Sequence, residues 1–368
     1  MTLELHDRIV VLAQDAGFAT AGIAPVPLPG EQLEPYFEGW IERGYAGEME
    51  YLKRRDQDNR LLRSSLRVAV PWARSVIVCA ANYNADAPKS TDPASPESAW
   101  IARYAITGSQ TQPTDYHDVL LARLKNLEQN LQQALGPFPA RCYVDTGPLV
   151  ERAYARYAGI GWTGKNTCIL NQKLGSWLFL GVILTGLELP SGAPIALPED
   201  RCGSCTRCID ACPTGALVAP YQMDASLCIA YLTIEKRGPI PEPLRPQIGR
   251  QVFGCDICQD VCPWNRRAPL SADAELAVRP ELVNPALAWL AELDAESFRS
   301  LFRQSPVQRT KLKGLLRNVA IAMGNSGLAS YQPKLQEWAA SSDPVLAEAA
   351  RWALTRLSTT ETDAKAQL

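Results

Sequence analysis

The chain has 368 residues, 46% of them hydrophobic, which is enough for two or three domains with cores of their own. A net charge of −2 excludes a protein held to nucleic acid by bulk charge alone. No apolar run approaches the roughly 20 residues that cross a bilayer, so no membrane partner is expected.

In chain order, MTLELHDRIVVLAQDAG places Leu5, Ile9, Leu12, Ala13 and Ala16 on one helical face. It lacks the pattern of a signal or transit peptide, so a soluble, cytoplasmic protein is expected. FATAGIAPV (18–26) reads as a strand, EQLEPYFEGWIERG (31–44) as a helix stopped by Gly44, and 48–55 as a shorter helix. SVIVCAANY (75–83) is a near-continuous β-branched run, hence a buried strand with Cys79 as a small core side chain. The Pro- and Ser-rich stretch 84–98 predicts an exposed loop, and DVLLARLKNLEQNLQQALG (118–136) a long amphipathic helix. ARCYVDTG (140–147) is a strand breaking into a turn, with a helix over 149–159 behind it. A loop and two strands follow over 160–186, turning near Lys173–Gly175. The tail beyond about 281 is helical. Its segments 315–327 and 343–357 are similar to the second helices of HEAT pairs, which need neighbours to cover their apolar faces. Two basic runs stand out, with six bases to two acids over 53–67 and five bases and no acid over 303–317. A solvated face is the ordinary meaning of such runs.

Of 11 cysteines, eight lie between Cys202 and Cys262. RCGSCTRCIDACPTG is C-x2-C-x2-C-x3-C-P at Cys202, Cys205, Cys208, Cys212 and Pro213, the run of bacterial-type [4Fe–4S] ligation. FGCDICQDVCPWN repeats it with Cys255, Cys258, Cys262 and Pro263, but Val252 stands at its first cysteine position and Cys228 is the available substitute. In two-cluster proteins the fourth cysteine of each run serves the other cluster. One cluster is therefore assigned to Cys202, Cys205, Cys208 and Cys262, the other to Cys212, Cys228, Cys255 and Cys258. Zinc knuckles also use C-x2-C pairs, but rarely three cysteines at this spacing before C-P. Disulfides do not suit a reducing compartment. Cys142 and Cys168 read as buried structural thiols. TGKN with Lys165 and Asn166 is a weak phosphate-loop pattern.

YVDTGPLVERAYARYAGIGWTGKNTCIL (143–170) and CIAYLTIEKRGPIPEPLRPQIG (228–249) before FGCDICQDVCPWN resemble the epoxyqueuosine reductase family of the tRNA queuosine pathway, over essentially the whole chain. The resemblance implies an α+β protein: an α/β cobalamin-binding domain (1–188), a ferredoxin-like domain with two [4Fe–4S] clusters (189–275) and a HEAT-like helical domain (276–368). It implies reduction of the epoxide of epoxyqueuosine at the wobble position of a tRNA anticodon, with base-off cobalamin. Asp145 is then the proton donor. Arg63, Ala105, Asp145, Ile169, Leu180, Ala230 and Asp256 are cobalamin contacts, and Lys236, Arg237 and Gly238 meet the tRNA. By themselves, Asp145 reads equally as a turn or helix cap, Arg63 as a solvated base, Ile169 and Leu180 as core, and Asp256 as a turn cap. The partners implied are a tRNA anticodon stem-loop and a low-potential donor of ferredoxin or flavodoxin type, acting on a monomer. The family's R-Y-A-x-G-x-D-Y-H is broken here by a longer insert (106–114) between Arg103–Ala105 and Asp115–His117. Some members carry a cysteine at the place of Ala105, so the insert leaves the local geometry and any role of His117 open. A reductive dehalogenase with the same cofactors is the alternative enzyme, and a two-cluster electron carrier the alternative outside catalysis. A dehalogenase would be expected to carry a twin-arginine signal and to lack YLTIEKRGPIP.

Overall fold

The computed structural model describes residues 2–28, 36–108, 114–189 and 197–366. Part of the expected 31–44 helix, residues 109–113 of the insert and most of the linker after 189 lie outside the described residues.

Ser75–Asn82 is the middle of a four-stranded sheet. Thr20–Pro25 pairs along one side of it (Ile23 opposite Ile77) and Leu178–Thr185 along the other (Val78 opposite Val182). Ala140–Tyr143 adds an outer strand to Leu178–Thr185. The central strand is apolar at nearly every position because both faces are covered, and alternate side chains enter different cores. Ile77, Cys79 and Ala81 pack with the helices Thr2–Asp15 and Tyr116–Leu135 through Ile9, Ala13, Leu120, Leu124 and Leu127. Val76, Val78 and Ala80 pack with Leu66, Leu149, Tyr154 and Ala155, the last two on the Glu151–Tyr157 helix. That helix end sits so close to the first strand that a Cβ on Gly22 would lie 1.9 Å from the Ala158 carbonyl oxygen, so only glycine fits there.

Every pairing in this sheet is antiparallel, so the α/β expectation for this part is corrected to α+β. Alternating helices and strands in a sequence do not reveal in which direction each strand returns. The expected 48–55 helix is a single 3-10 turn, Glu50–Leu52. Downstream, Asp56 Oδ1 accepts from the amides of Asp58 and Arg60, a local turn that competes with helix. Ile169–Leu170 pairs with Trp162–Thr163 and not with Leu178–Thr185, although the chain does turn between Asn171 and Gly175.

The tail packs Lys311–Ser326 against Gln332–Ala339 and Pro344–Ala366. Leu315, Val319, Ala322 and Met323 share a core with Ala349, Ala350, Ala353 and Leu357, and also with Leu232, Val252 and Phe253 beside the cysteine motifs. The neighbours that the tail's apolar faces need are supplied by that region. The same core takes in Ile101 and Ala105, because Trp100–Ile101 runs parallel to Gln251–Phe253. Among the described residues no helix is long and apolar enough to cross a membrane.

Candidate active site

The two cysteine motifs fold as near-repeats: each places a short helix, Arg207–Asp210 or Ile257–Asp260, before its C-P corner. Val252, at the missing first cysteine of the second motif, is instead part of the buried strand Gln251–Phe253. Cysteines of the two motifs bear on one another's thiols. Burial pushes Cys262 up to about 11, and the charges of Cys202 and Cys208 add to it. Cys208 is raised by burial, with Cys202 and Cys205 adding. Across the gap, Cys255 is raised by burial together with Cys228 and Cys212. Cys258 is raised first by a hydrogen bond with Cys168, then by burial and the charges of Cys255 and Cys228. Iron would hold all eight as thiolates.

Lys165 and Asn166 belong to this region and form no phosphate loop. The Lys165 ammonium donates 2.6 Å to the Gly203 carbonyl and Asn166 Nδ2 donates 3.4 Å to the Cys258 carbonyl. Both side chains are buried braces for the cysteine loops. Cys168 lies against Cys258, a contact its spacing does not reveal. Cys79 is buried in the core as expected, and Cys142 lies beside Glu128 at 3.3 Å.

Beside the second set opens a cleft of about 1890 Å³, lined by Arg63, Tyr104, Tyr116, His117, Asp145, Leu180, Cys228 and Ala230 among others. Drug-sized pockets hold roughly 300–1,000 Å³, so this one is larger than a small metabolite needs. Arg63 Nη1 donates 3.0 Å to the Leu149 carbonyl, and its guanidinium lies over the Tyr51 ring. Of the expected cobalamin contacts, Arg63, Asp145, Leu180 and Ala230 line the cleft. Ala105, Ile169 and Asp256 are buried and do not. Ala105 sits in the 3-10 turn Arg103–Ala105 with no exposed surface. Asp256 accepts a 2.5 Å hydrogen bond from the Arg103 amide, and burial pushes its carboxyl up to about 7.

Asp145 follows the outer strand and holds φ +56°, a left-handed conformation tolerated by Asp and common at functional turns. The turn aims its carboxyl into the cleft, where Tyr116 donates a 2.5 Å hydrogen bond to Oδ2 and His117 Nε2 stands 3.9 Å away. Its side chain is 56% exposed. His117 is held above its ordinary value. Burial works against its protonation, but the Asp115 hydrogen bond and the charges of Asp115 and Asp145 outweigh that. Tyr116, His117 and, from the neighbouring helix, Glu151 are site residues that motif reading missed or left open. The Asp-Tyr-His triplet was legible, but its approach to Asp145 was not.

On the cleft's outer side, Lys236 is ion-paired with Glu48, Arg237 Nη1 donates 2.8 Å to the Arg309 carbonyl, and Arg309 bonds Glu235 at 2.5 Å. The Lys236 and Gly238 carbonyls accept 2.8 and 2.7 Å hydrogen bonds from Arg317. Arg317 is 1% exposed, so the basic run 303–317 is not a continuous exposed track. Its last base is an internal clamp under the 236–238 turn.

Residues 201–265 match the family model for a 4Fe-4S double cluster binding domain, and residues 63–146 match the one described as Epoxyqueuosine reductase QueG, DUF1730. The epoxyqueuosine reductase of Pseudomonas aeruginosa is 41% identical over 85% of this chain and 83% of its own length. This chain belongs to the epoxyqueuosine reductase family. The Escherichia coli epoxyqueuosine reductase is 36% identical over 95% of this chain and 89% of its own. A crystal structure of an epoxyqueuosine reductase with an epoxyqueuosine-modified tRNA-Tyr stem loop superposes with a TM-score of 0.82 at 30% identity, over 97% of this chain and 91% of that one. The double-cluster match decides against the zinc alternative, and the family against a bare electron carrier.

Proposed function

We propose that this epoxyqueuosine reductase family member reduces the epoxide of epoxyqueuosine, presented in a tRNA anticodon stem-loop, to the alkene of queuosine. The carrying observation is one cleft that holds Asp145, hydrogen-bonded by Tyr116, together with Cys228 of the second cysteine set. In this reading Cys202, Cys205, Cys208 and Cys262 hold one cluster and Cys212, Cys228, Cys255 and Cys258 the other. The cleft's volume and its lining of Tyr51, Tyr104, Leu149 and Leu180 fit base-off cobalamin, with Arg63 and Ala230 at its edge. When bound, that cofactor supplies a redox centre that can meet carbon, which cysteine-held clusters do not offer. Ala105, Ile169 and Asp256 act from behind the wall, by shaping it.

Asp145 gives a proton to the oxygen that leaves carbon, and Tyr116 fixes its direction. Arg237 and the 236–238 turn contact tRNA phosphates, which position without reading sequence, while an unstacked wobble base enters the cleft. The division into 1–188, 189–275 and 276–368, the HEAT-like character of the tail, a monomeric state, a cytoplasmic setting and a low-potential ferredoxin- or flavodoxin-type donor complete the proposal. Its test is reconstitution with cobalamin, a low-potential reductant and epoxyqueuosine-containing tRNA. Queuosine formation is expected. Failure to bind cobalamin, or turnover of a haloarene but not of the tRNA, would overturn it.

A further inference from the structure

Beside the second cysteine motif, Arg103 Nε, Gln251 Oε1 and Asp260 Oδ1 are buried with no hydrogen-bond partner among the described residues. Arg103, Gln251 and Asp260 are 6%, 4% and 6% exposed, so bulk solvent does not serve them. A buried polar group left bare loses its hydration without return. All three residues line one small cavity of about 10 Å³, and none of them lines the large cleft. They come from distant parts of the chain: the 3-10 turn Arg103–Ala105, the strand Gln251–Phe253 and the last position of the helix Ile257–Asp260.

Arg103 and Asp260 are otherwise committed. Arg103 donates from Nη1 to the Ala85 carbonyl and from Nη2, at 3.1 Å, to that of Ala87, with its guanidinium 4.8 Å from the Trp177 ring centroid. Asp260 Oδ2 accepts from the Ser90 amide at 2.8 Å and from its hydroxyl at 2.6 Å. The guanidinium and the carboxyl thus share a cavity while neither Nε nor Oδ1 bonds the other.

We propose that this cavity is the site of one ordered water, which accepts from Arg103 Nε–H and donates to Gln251 Oε1 and Asp260 Oδ1. A buried water needs room for about one water-sized sphere, roughly 10 Å³ or more, and two to four polar partners. Both are present. The polarity of the partners selects the ligand: the charged Arg103 N–H opposes a metal cation, and two oxygen acceptors oppose an anion. Only a small molecule that both donates and accepts satisfies all three.

The water acts on the second cysteine motif. Asp256, at the start of the helix Ile257–Asp260, already accepts a 2.5 Å hydrogen bond from the Arg103 amide. The water joins the Arg103 side chain to Asp260 at the other end. One residue thereby holds both ends of the turn that carries Cys258, and Asp260 in turn seats the loop around Ser90 on that turn. The site does not rest on the reductase reading, because none of its three residues faces the cleft.

The test is a crystal structure of the cluster-loaded protein at a resolution that shows waters. A single peak should stand about 2.7–3.2 Å from all three atoms. No peak, a peak within reach of only one of them, or a direct bond between Arg103 Nε and Asp260 would overturn the proposal. A peak ringed by oxygens alone, with Arg103 Nε turned away, would mean a cation and overturn it as well. Gln251→Leu removes one acceptor at nearly constant size. In the cluster-loaded variant, amide hydrogen exchange around Ser90 should quicken roughly tenfold, as for the loss of about one buried hydrogen bond, while the Thr2–Asp15 helix exchanges as in the parent. Unchanged exchange around Ser90 would refute the bracing role. Should Gln251→Leu not fold, the density in the parent protein decides the matter.

Discussion

Tyr116 and Asp145, separated by the whole Tyr116–Leu135 helix and the outer strand, meet through a 2.5 Å hydrogen bond from phenol to carboxyl. The tyrosine ring is itself stacked on Phe179, with centroids 4.1 Å apart. The carboxyl is therefore held by a rigid donor across an exposed cleft wall. Tyr116→Phe keeps the stack and removes the donor. A hydrogen bond between neutral groups is worth about 0.5–1.5 kcal/mol, so kcat should fall roughly twofold to tenfold with KM little changed. Steady-state kinetics would show this, and an unaltered kcat would mean that Tyr116 does not orient Asp145.

Asp145→Ala should abolish turnover while both clusters and cobalamin remain bound, as read by iron content and visible absorption. A normal rate in this variant would remove Asp145 from its role. Asn at this position also tolerates positive φ, so Asp145→Asn should be equally inactive yet more stable to heat than the alanine variant.

Cys228 is the one expected cluster ligand outside the two C-P motifs. In Cys228→Ala, anaerobic reconstitution should yield about half the parent's iron, since [4Fe–4S] centres need four thiolates and the set of Cys202, Cys205, Cys208 and Cys262 is untouched. Full iron content would contradict the cross-ligation scheme.

Lys236 and Arg237 are neighbours in sequence but differ in their commitments. Lys236 is neutralised by Glu48, whereas the Arg237 guanidinium donates through Nη1 to a neutral carbonyl and has no ion pair among the described residues, and its backbone amide donates to Glu48 Oε2. Arg237→Ala should weaken tRNA binding across sequences and reduce the salt slope by about one, while Lys236→Ala should do less. Binding isotherms at several salt concentrations would separate them, and equal losses would refute the distinction.

His117 has a folded-state value raised above 6.5. Its protonated form is thus favoured by folding, and the resulting stability is fully present below 6.5 and is lost as pH rises through the raised value. Denaturation of the parent and of His117→Ala should differ most under mildly acid conditions and converge in alkali. A gap that widened with pH would reverse the assignment.

The cysteine spacing of a double-cluster domain, the buried run 75–82 and the amphipathic helix ending at Leu135 were all legible in the chain, because each is a local pattern with a fixed physical period or ligand geometry. Lys165 looked like a phosphate ligand for want of its partner, the Gly203 carbonyl. The basic run 303–317 looked exposed because sequence does not say that Arg317 faces the 236–238 turn. The 75–82 run pointed to burial on both faces but was silent on strand direction, which is set by how the long excursions between strands return.

By itself, then, the sequence determined the iron–sulfur chemistry and the family, since ligand type and spacing are written residue by residue along the chain. Only the tertiary structure decided which groups surround Asp145. Tyr116 and His117 reach it from another helix, and a hydrogen bond between residues far apart in the chain depends on packing that no local pattern records.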